Sequence, residues 1–340
     1  MEIYIKAVVI GLGSMGKRRV RCLQALGVKD IVGVDFRVDR CEEAAKRYGI
    51  RVELDLPVVL STFAPDVAII SLPPKAHVSA MNSCLKQRVP FFVEASVVDE
   101  GLAEVIALAK QSNILAAPST TLHFHPAIAE VTRIVRSGQL GKISNVMLHS
   151  GQYLPDWHTY ESVSDYYVSD PVTGGAREIV PFEMTWFTEL FGFPRRVAGQ
   201  FRKTIEIDGA DYIEDTYNGL LDYGTFLATI TVDVVSRHAT RRLIINGAKG
   251  QLAWSWDDAA IKVFDGATKQ WTEFCYEMET AEPGYNKNIG ENMYIDEIRA
   301  FLDAASGKAS FPNTLEQDHR VLKLLYALER SDSTSTFQTL

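Results

Sequence analysis

The first 120 residues alternate short apolar runs with segments of helical periodicity. The apolar runs at Tyr4–Ile10, Ile31–Asp35 and Val67–Ser71 are typical of buried strands. Between them, Ser14–Leu26 and Ala76–Gln87 carry apolar residues every three or four positions, which predicts helices. Such alternation indicates repeated β–α–β units around a parallel sheet.

The pattern changes after Pro126. One helix is predicted from Pro126 to Ser137, and longer segments of alternating apolar and polar residues follow it. The strands predicted there are Ile143–His149, Val197–Phe201, Asp215–Leu221, Thr225–Ser236 and Arg242–Ile245. Their alternation indicates a mainly antiparallel sheet with one solvated face. Two amphipathic helices, Glu291–Ala305 and Leu315–Arg330, are predicted last, and we expect the polar tail after them to be frayed.

These two patterns predict two domains. Residues 1–120 are expected to form a Rossmann-type domain, and residues 121–340 an α+β domain. The predicted fold class is therefore α/β: an N-terminal doubly wound parallel sheet, followed by a C-terminal α+β domain with a large, open, mainly antiparallel sheet.

Charge and cysteine usage exclude several classes of protein. The chain has 35 Lys and Arg residues against 43 Asp and Glu residues, and no basic run, so we expect neither nucleic acid nor an anionic membrane surface as a partner. The four cysteines are scattered, which predicts neither a disulfide framework nor a metal site. The N-terminus enters a strand pattern directly, and no apolar run reaches the ~18 residues of a membrane helix. We expect a cytoplasmic protein.

A glycine-rich turn follows the first predicted strand. The residues Gly11, Gly13, Ser14, Met15 and Gly16 belong to a GxGxxG motif that opens a helix. The first glycine allows the tight turn, the second lets the backbone approach a pyrophosphate, and the third lets helix and strand pack closely. The motif therefore predicts a dinucleotide site. A glycine-rich turn that binds no nucleotide is the alternative.

An acidic residue ends the second predicted strand. Asp35 follows the motif at the distance where a carboxylate accepts hydrogen bonds from the adenosine ribose hydroxyls, and it would repel a 2′-phosphate. This favours NAD as the cofactor, with NADP less favoured. Phe36 and Arg37 are predicted to take part in the same site, although Arg37 and Arg40 weaken the preference for NAD.

Two further motifs resemble those of a known protein family. Together with the glycine-rich turn, the segments Ser71–His77 (SLPPKAH) and Phe92–Ser96 (FVEAS) resemble the Gfo/Idh/MocA oxidoreductases, the superfamily of glucose–fructose oxidoreductase and inositol dehydrogenase. The segments His123–Pro126 and Tyr153–Trp157 are similar to landmarks of that family's second domain. The resemblance implies that Ser71, Pro73 and His77 line the cofactor, and that Glu94 lies beside the nicotinamide ribose. Local packing at the start of a helix is the alternative for His77.

The chain departs from the family at its catalytic positions. Where the family usually has Glu-Lys-Pro, with a substrate-binding lysine, this chain has Glu94-Ala95-Ser96. An ungapped alignment places Ile179 and Phe182 where the family has an aspartate and the histidine that acts as general acid and base. The arginine that the family carries before a Phe-His-Pro triplet is His123 here.

Replacement groups are available nearby. In a helix beginning near Gly175, Glu178 lies one turn before Phe182 on the same face. We predict that Glu178 or His123 is the catalytic acid/base, and that Arg177 binds an anionic group of the substrate. The alternatives are an ion-paired helix residue for Glu178 and a packing residue for His123.

The segment from Tyr153 to Tyr167 is rich in aromatic and acidic residues. Aromatic faces beside carboxylates suit a sugar, so Tyr153 and Trp157 are predicted to bind substrate in a cleft between the domains. Packing of this segment on its own domain is the alternative.

The predicted activity is that of an NAD(P)-dependent oxidoreductase. It would transfer hydride between nicotinamide and a CH–OH carbon of a sugar, sugar phosphate or nucleotide sugar, with an atypical proton relay. Non-redox use of bound NAD in elimination or epimerisation is one alternative, and a catalytically inactive dinucleotide-binding regulatory or scaffold protein is the other. The family resemblance also implies a homodimer or homotetramer formed through the C-terminal sheet.

Overall fold

The computed structural model describes residues 4–159, 161–277 and 290–340. The helices are α1 (Ser14–Ala25), α2 (Val38–Tyr48), α3 (Leu56–Thr62), α4 (His77–Lys86), α5 (Leu102–Ser112), α6 (Pro126–Arg136), α7 (Ala176–Phe191), α8 (Asn292–Ala305) and α9 (Leu315–Thr334). The strands are β1 (Lys6–Ile10), β2 (Asp30–Val34), β3 (Arg51–Glu53), β4 (Val67–Ile70), β5 (Phe91–Val93), β6 (Ala116–Pro118), β7 (Ile143–Tyr153), β8 (Arg196–Arg202), β9 (Thr216–Asp222), β10 (Leu227–Asp233), β11 (Val235–Gly247), β12 (Gly250–Ser255), β13 (Ala260–Asp265), β14 (Gln270–Cys275) and β15 (Gln338–Thr339).

The chain divides into two compact units. The first comprises Met1–Thr121 with Asn292–His319, and the second comprises Leu122–Glu291 with Arg320–Leu340. Helix α8, which the sequence pattern placed in the second domain, packs against α1 in the first unit. The amphipathic pattern of α8 shows that one face is buried, but it does not show which element covers that face. The domain boundary at 120/121 stays a prediction.

The first unit is built on a six-stranded parallel sheet in the order β3-β2-β1-β4-β5-β6. Strands β1 and β4 are almost wholly buried, as expected for central strands with helices on both faces. The strand order reverses at β1, where β2 lies on one side and β4 on the other. Ligands bind at such a switch point, outside the carboxyl ends of the strands.

The second unit is built on a nine-stranded sheet in the order β14-β13-β12-β11-β7-β10-β9-β8-β15. Strands β7 and β10 run parallel, and the other neighbours are antiparallel. Burial alternates along β9 and β10, so one face packs on the core and the other is exposed. The predicted fold class is confirmed in both units.

Two details of the second unit differ from the sequence prediction. The segment predicted as one strand, Thr225–Ser236, divides between β10 and β11 at Val234. The tail is not frayed: α9 continues to Thr334, and β15 pairs with β8 through Gln338 and Val197. A short edge strand keeps a solvated side and needs few apolar residues, so its sequence resembles that of a loop.

The described residues contain neither a helix suited to span a membrane nor a cluster suited to bind a metal ion. Across 4–159, 161–277 and 290–340, no helix is long and apolar enough to cross a membrane. In the same residues, no group of three or more His, Cys, Asp or Glu side chains is placed to hold a metal ion.

Candidate functional site

The glycine-rich turn joins β1 to α1 at the switch point of the first sheet. Gly11 has a φ of +94°, and a Cβ atom there would lie 2.4 Å from the Ser71 carbonyl oxygen. A Cβ atom on Gly16 would lie 1.8 Å from the carbonyl oxygen of Gly11. Both positions therefore require glycine. Gly13, by contrast, has ordinary backbone angles and space for a side chain.

The N-terminus of α1 is open to a ligand. Gly13 caps the helix and supplies no side-chain hydrogen bond, while Ser14 and Met15 in the first turn are partly exposed. The amide groups of a first helical turn have no partner within the helix, and they bind phosphate oxygens well. The turn thus fits the pyrophosphate of a dinucleotide.

Asp35 lies directly beyond β2 and faces the glycine-rich turn. Its Oδ2 accepts a hydrogen bond from the Leu12 amide at 2.8 Å, and its Oδ1 accepts one from the Arg37 amide at 2.9 Å. These bonds fix the carboxylate beside the turn and leave each oxygen a further lone pair for a ribose hydroxyl. Phe36 next to it is 79% exposed, so its ring is free to contact an adenine.

The segment after β4 contains two partly accessible predicted residues and one buried one. Ser71 is partly exposed and Pro73 is exposed. His77 is buried, and its Nε2 lies 2.7 Å from the Leu72 carbonyl oxygen. Burial lowers the pKa of His77, so the ring is neutral. The ring holds the loop that carries Ser71, and a place for His77 along the cofactor stays a prediction.

Glu94, at the end of β5, belongs to a buried ion-pair network. The Arg19 guanidinium of α1 donates to both of its carboxylate oxygens, at 2.6 and 2.8 Å, and Ser71 Oγ donates to it at 3.2 Å. Arg19 also lies 2.8 Å from Glu297 of α8, whose carboxylate accepts bonds from the amide of Thr120 and two hydroxyls nearby. Sequence reasoning missed Arg19 and Glu297 because neither lies in a recognised motif.

In the second unit, α7 carries a partly exposed stripe on an otherwise buried helix. Its members recur at intervals of four, three and four: Glu178, Phe182, Thr185 and Glu189. The helix begins at Ala176, after Gly175 with a φ of +66°, so Glu178 and Phe182 share a face as predicted. Glu178 therefore lies one turn from Phe182.

Glu178 is linked by a chain of contacts to four polar and aromatic side chains. The Tyr167 hydroxyl donates to Glu178 Oε1 at 2.6 Å, and Tyr166 makes an edge contact with Tyr167. The ring of His158 stacks on Tyr166 with 4.5 Å between the ring centroids. The Nδ1 atom of His158 lies 2.7 Å from Oε1 of Glu161. We call these five residues the Glu178 cluster. The aromatic segment and Glu178 are thus brought together.

The second oxygen of Glu178 is placed differently from the first. Oε2 is buried and has no hydrogen-bond partner among the residues that the structure describes. Burial raises the pKa of this carboxyl to about 7, against the lowering effect of the Tyr167 hydrogen bond. A carboxyl group with a pKa near neutrality and a free oxygen can both take and give a proton.

His123, the other predicted acid/base, lies at the far end of the same stripe. Its Nδ1 is 2.7 Å from Oε2 of Glu189, and the ring packs against Phe124. Glu189 lies eleven positions after Glu178, or about 16 Å along the helix at 1.5 Å per residue. The two candidates are therefore not brought together and do not form one acid–base pair.

Arg177 makes hydrogen bonds to other residues of the second unit. Its guanidinium donates to both oxygens of Glu329, at 2.6 and 3.3 Å, and to the Val172 carbonyl oxygen. The side chain is nine-tenths buried. Glu329 neutralises this cation, and the pair joins α7 to α9. Binding of a substrate anion by Arg177 stays a prediction.

The two predicted sugar-stacking residues differ in their surroundings. The ring of Tyr153 is covered by the Arg237 guanidinium at 3.8 Å. Trp157 is partly buried, and its Nε1 has no hydrogen-bond partner among the described residues. Trp157 therefore retains an unused donor for a substrate hydroxyl, whereas one face of Tyr153 is already covered.

Comparison with known sequences gives the family. A model described as "Oxidoreductase family, NAD-binding Rossmann fold" matches residues 5–117, and the "GFO/IDH/MocA C-terminal domain" matches residues 128–253. Together these matches span well over half of the chain. The chain belongs to the Gfo/Idh/MocA oxidoreductase family. Its first unit is accordingly an NAD-binding Rossmann domain, as the glycine-rich turn predicted.

A curated relative is the uncharacterized oxidoreductase YhhX of Escherichia coli (strain K12). It is 24% identical over 196 residues, which cover 57% of this chain and 51% of that protein. The chain thus matches about half the length of this relative.

Solved structures share the fold over essentially the whole chain. Levoglucosan dehydrogenase in complex with NADH and levoglucosan has a TM-score of 0.84 at 14% identity, covering 99% of both chains. GenD2 from gentamicin A biosynthesis, in complex with NAD, has a TM-score of 0.82 at 16% identity, covering 100% of this chain and 97% of that one. An oxidoreductase from Desulfitobacterium hafniense DCB-2, provisionally described as NADPH-dependent, has a TM-score of 0.84 at 14% identity, covering 100% and 98%.

Proposed function

We propose that this protein is an NAD-dependent dehydrogenase or reductase. It acts on a CH–OH carbon of a sugar, sugar phosphate or nucleotide sugar, and Glu178 serves as its acid/base. The observation that carries the proposal is the Glu178 carboxyl, held by Tyr167 on one oxygen and unpartnered on the other, one helical turn from Phe182. The sugar-dehydrogenase structures with the same fold support the substrate class.

Separate groups of residues bind the cofactor, move the proton and bind the sugar. The turn from Gly11 to Gly16 and Asp35 hold the pyrophosphate and the adenosine ribose. Glu94, which Arg19 holds in place, binds the nicotinamide ribose. Bound NAD⁺ supplies a hydride acceptor. Ionised Glu178 accepts the hydroxyl proton as the carbon loses hydride, and its protonated form returns that proton in the reverse reaction. Trp157 offers a donor to a sugar hydroxyl.

A panel of sugars, sugar phosphates and nucleotide sugars tests this activity. We expect the purified protein with NAD⁺ to form NADH with at least one member of the panel. Product analysis by mass spectrometry on the same samples separates the second candidate, because elimination or epimerisation would change the substrate without net NADH. A protein that binds NADH but changes no panel member would favour the regulatory alternative.

We also propose that the protein is a cytoplasmic homo-oligomer formed through the second sheet. Cys22, Cys41 and Cys84 are free and buried, which fits a reducing compartment. The exposed sheet face bears Met147, Leu220 and other large apolar residues, and exposed apolar patches of this kind mark interaction surfaces.

Changing Leu220 to arginine is expected to dissociate this oligomer. Leu220 is 53% exposed on β9, and a guanidinium there would lie within a closed apolar interface. Light scattering should show a smaller assembly for Leu220→Arg and the wild-type mass for Leu54→Arg, since Leu54 is equally exposed in the first unit. An unchanged mass for Leu220→Arg would show that this face is not the interface.

A further inference from the structure

Tyr167 belongs to a segment whose main chain is anchored before α7 begins. It opens a short 3₁₀ turn, Tyr167–Ser169. Its carbonyl oxygen accepts hydrogen bonds from the Thr173 hydroxyl at 3.0 Å and from the Asp170 amide at 3.2 Å. The ring of Tyr166 packs edge-on against the phenol ring. These contacts fix the part of the chain that carries the Tyr167 hydroxyl.

Two consecutive glycines bring this segment against the start of α7. A Cβ atom on Gly174 would lie 1.8 Å from the Val168 carbonyl oxygen, so only glycine allows this approach. The Gly175 amide donates a hydrogen bond to the same oxygen at 3.2 Å, and the φ of +66° at Gly175 turns the chain into the helix. The approach brings the Tyr167 hydroxyl to 2.6 Å from Glu178, which lies in the first turn of α7.

The hydrogen bond makes the two carboxylate oxygens of Glu178 unequal. Oε1 accepts the bond from the phenol, whereas Oε2 is buried and has no partner among the residues that the structure describes. Burial of the carboxyl group favours its neutral form, and a hydroxyl that donates to a carboxylate stabilises the ionised form. Tyr167 therefore counteracts the effect of burial, and it leaves Oε2 as the oxygen that can meet a substrate hydroxyl.

Other ionisable groups near the start of α7 have contacts of their own. They form ion pairs or join the helix through the main chain: Arg177 with Glu329, His158 with Glu161, and Glu214 through its carbonyl oxygen to the Ala176 amide. Within the part of the chain that the structure describes, the group that donates to the Glu178 carboxylate is the Tyr167 hydroxyl.

We propose that Tyr167 is a positioning residue for the acid/base reaction of Glu178. Its hydroxyl stabilises the ionised carboxylate and keeps Oε2 available to the substrate. This inference rests on the proposed function and adds a residue to it. When the substrate carbon loses hydride to NAD⁺, the proton of its hydroxyl passes to Oε2 of Glu178, and Tyr167 keeps its own proton.

Carbon-13 NMR of the full-length protein, labelled at the carboxyl carbon of the glutamate side chains, tests the pairing without substrate. The Glu178 signal is the one that is missing from Glu178→Gln. We expect Tyr167→Phe to move the titration midpoint of Glu178 upward by about one pH unit, the effect of losing one hydrogen bond to a charged group. Tyr212→Phe is the matched control because Tyr212 is 80% exposed, and Glu178 should titrate there as in the wild type.

The same change should move the pH profile of alcohol oxidation. With the midpoint raised by about one pH unit, the ionised fraction of Glu178 at pH 7 falls from about one half to about one tenth. We therefore expect kcat of Tyr167→Phe to be about fivefold below the wild type at pH 7 and to approach the wild-type value at about pH 9. A rate lowered equally at every pH would indicate a purely structural defect and overturn the proposal.

Two further results would overturn it. One is a Glu178 titration midpoint in Tyr167→Phe that equals that of Tyr212→Phe. The other is a loss of kcat by Tyr167→Phe that persists in a Glu178→Gln background, because a residue that acts through the Glu178 carboxylate has nothing to act on there. If the wild type converts no member of the sugar panel, the proposed function fails, while the NMR titration still decides on the pairing.

Discussion

Replacing Glu178 by glutamine is expected to lower kcat by about 10²–10⁴-fold, the usual contribution of a positioned acid or base. The amide keeps the size of the side chain and accepts the Tyr167 hydrogen bond, but it cannot exchange a proton. Binding of NADH should be unchanged, since the glycine-rich turn and Asp35 lie in the other unit of the chain. Steady-state kinetics on the substrate identified by the panel gives the measurement.

The pH profile supplies an independent signature of the same residue. Because the pKa of Glu178 is raised to about 7, the rate of alcohol oxidation should fall as pH drops below 7, where the carboxyl becomes protonated. This limb should be absent from Glu178→Gln. Glu130 is a partly exposed carboxyl paired with Arg133 on α6, and Glu130→Gln should keep both the rate and the profile.

The stability of the folded protein should depend on pH in the opposite direction to the rate of alcohol oxidation. The folded state raises the pKa of Glu178 above its ordinary 4.5, so the folded protein binds a proton that the unfolded chain releases between these values. That contribution is present below pH 4.5 and is lost as the pH rises through 7. Glu178→Gln should therefore unfold at a higher temperature than the wild type above pH 7.

Full activity in Glu178→Gln, with a large loss in His123→Ala, would transfer the acid/base role to His123.

Replacing Arg19 by methionine is expected to lower the free energy of unfolding of the first unit by about 3–5 kcal/mol. Arg19 is fully buried between the carboxylates of Glu94 and Glu297, and it is the cation that both of them contact. Without it, two buried carboxyl groups lose their counter-charge and repel each other. Burial already raises the pKa of Glu297. Methionine preserves most of the packing against Phe92 and Tyr294.

Urea unfolding followed by circular dichroism measures this loss. The control is Arg51→Met, which removes an exposed pair with Asp30 and should change the free energy of unfolding by less than about 1 kcal/mol. Because removal of the cation leaves Glu297 buried without its counter-charge, the Arg19→Met variant should regain part of its stability at low pH, where Glu297 becomes protonated. A loss no larger than that of Arg51→Met would contradict the role assigned to the network.

The sequence predicted those parts of the molecule whose geometry is local. The turn from Gly11 to Gly16 could be recognised because strand, turn and helix are consecutive, and backbone sterics require glycine at two fixed positions. The shared face of Glu178 and Phe182 followed in the same way from helical periodicity once the start of α7 was placed correctly.

What depends on long-range packing could not be predicted. Arg19 meets Glu94 across 75 residues, and Glu297 reaches the same guanidinium from α8. Arg177 meets Glu329 across 152 residues. Single-sequence patterns show which faces are buried but not which partner covers them, so ion pairs of this kind become visible only in the fold.

A fluorescence titration of the full-length protein with NADH tests the central claim most directly, with Gly13→Asp as the control variant. Gly13 has backbone angles that any residue adopts and room for a side chain, so the variant should fold while its carboxylate repels the pyrophosphate. We predict saturable micromolar binding of NADH by the wild type and none by Gly13→Asp. Absence of saturable NADH binding by the wild type, or equal binding by the variant, would contradict an NAD-dependent oxidoreductase built on this turn.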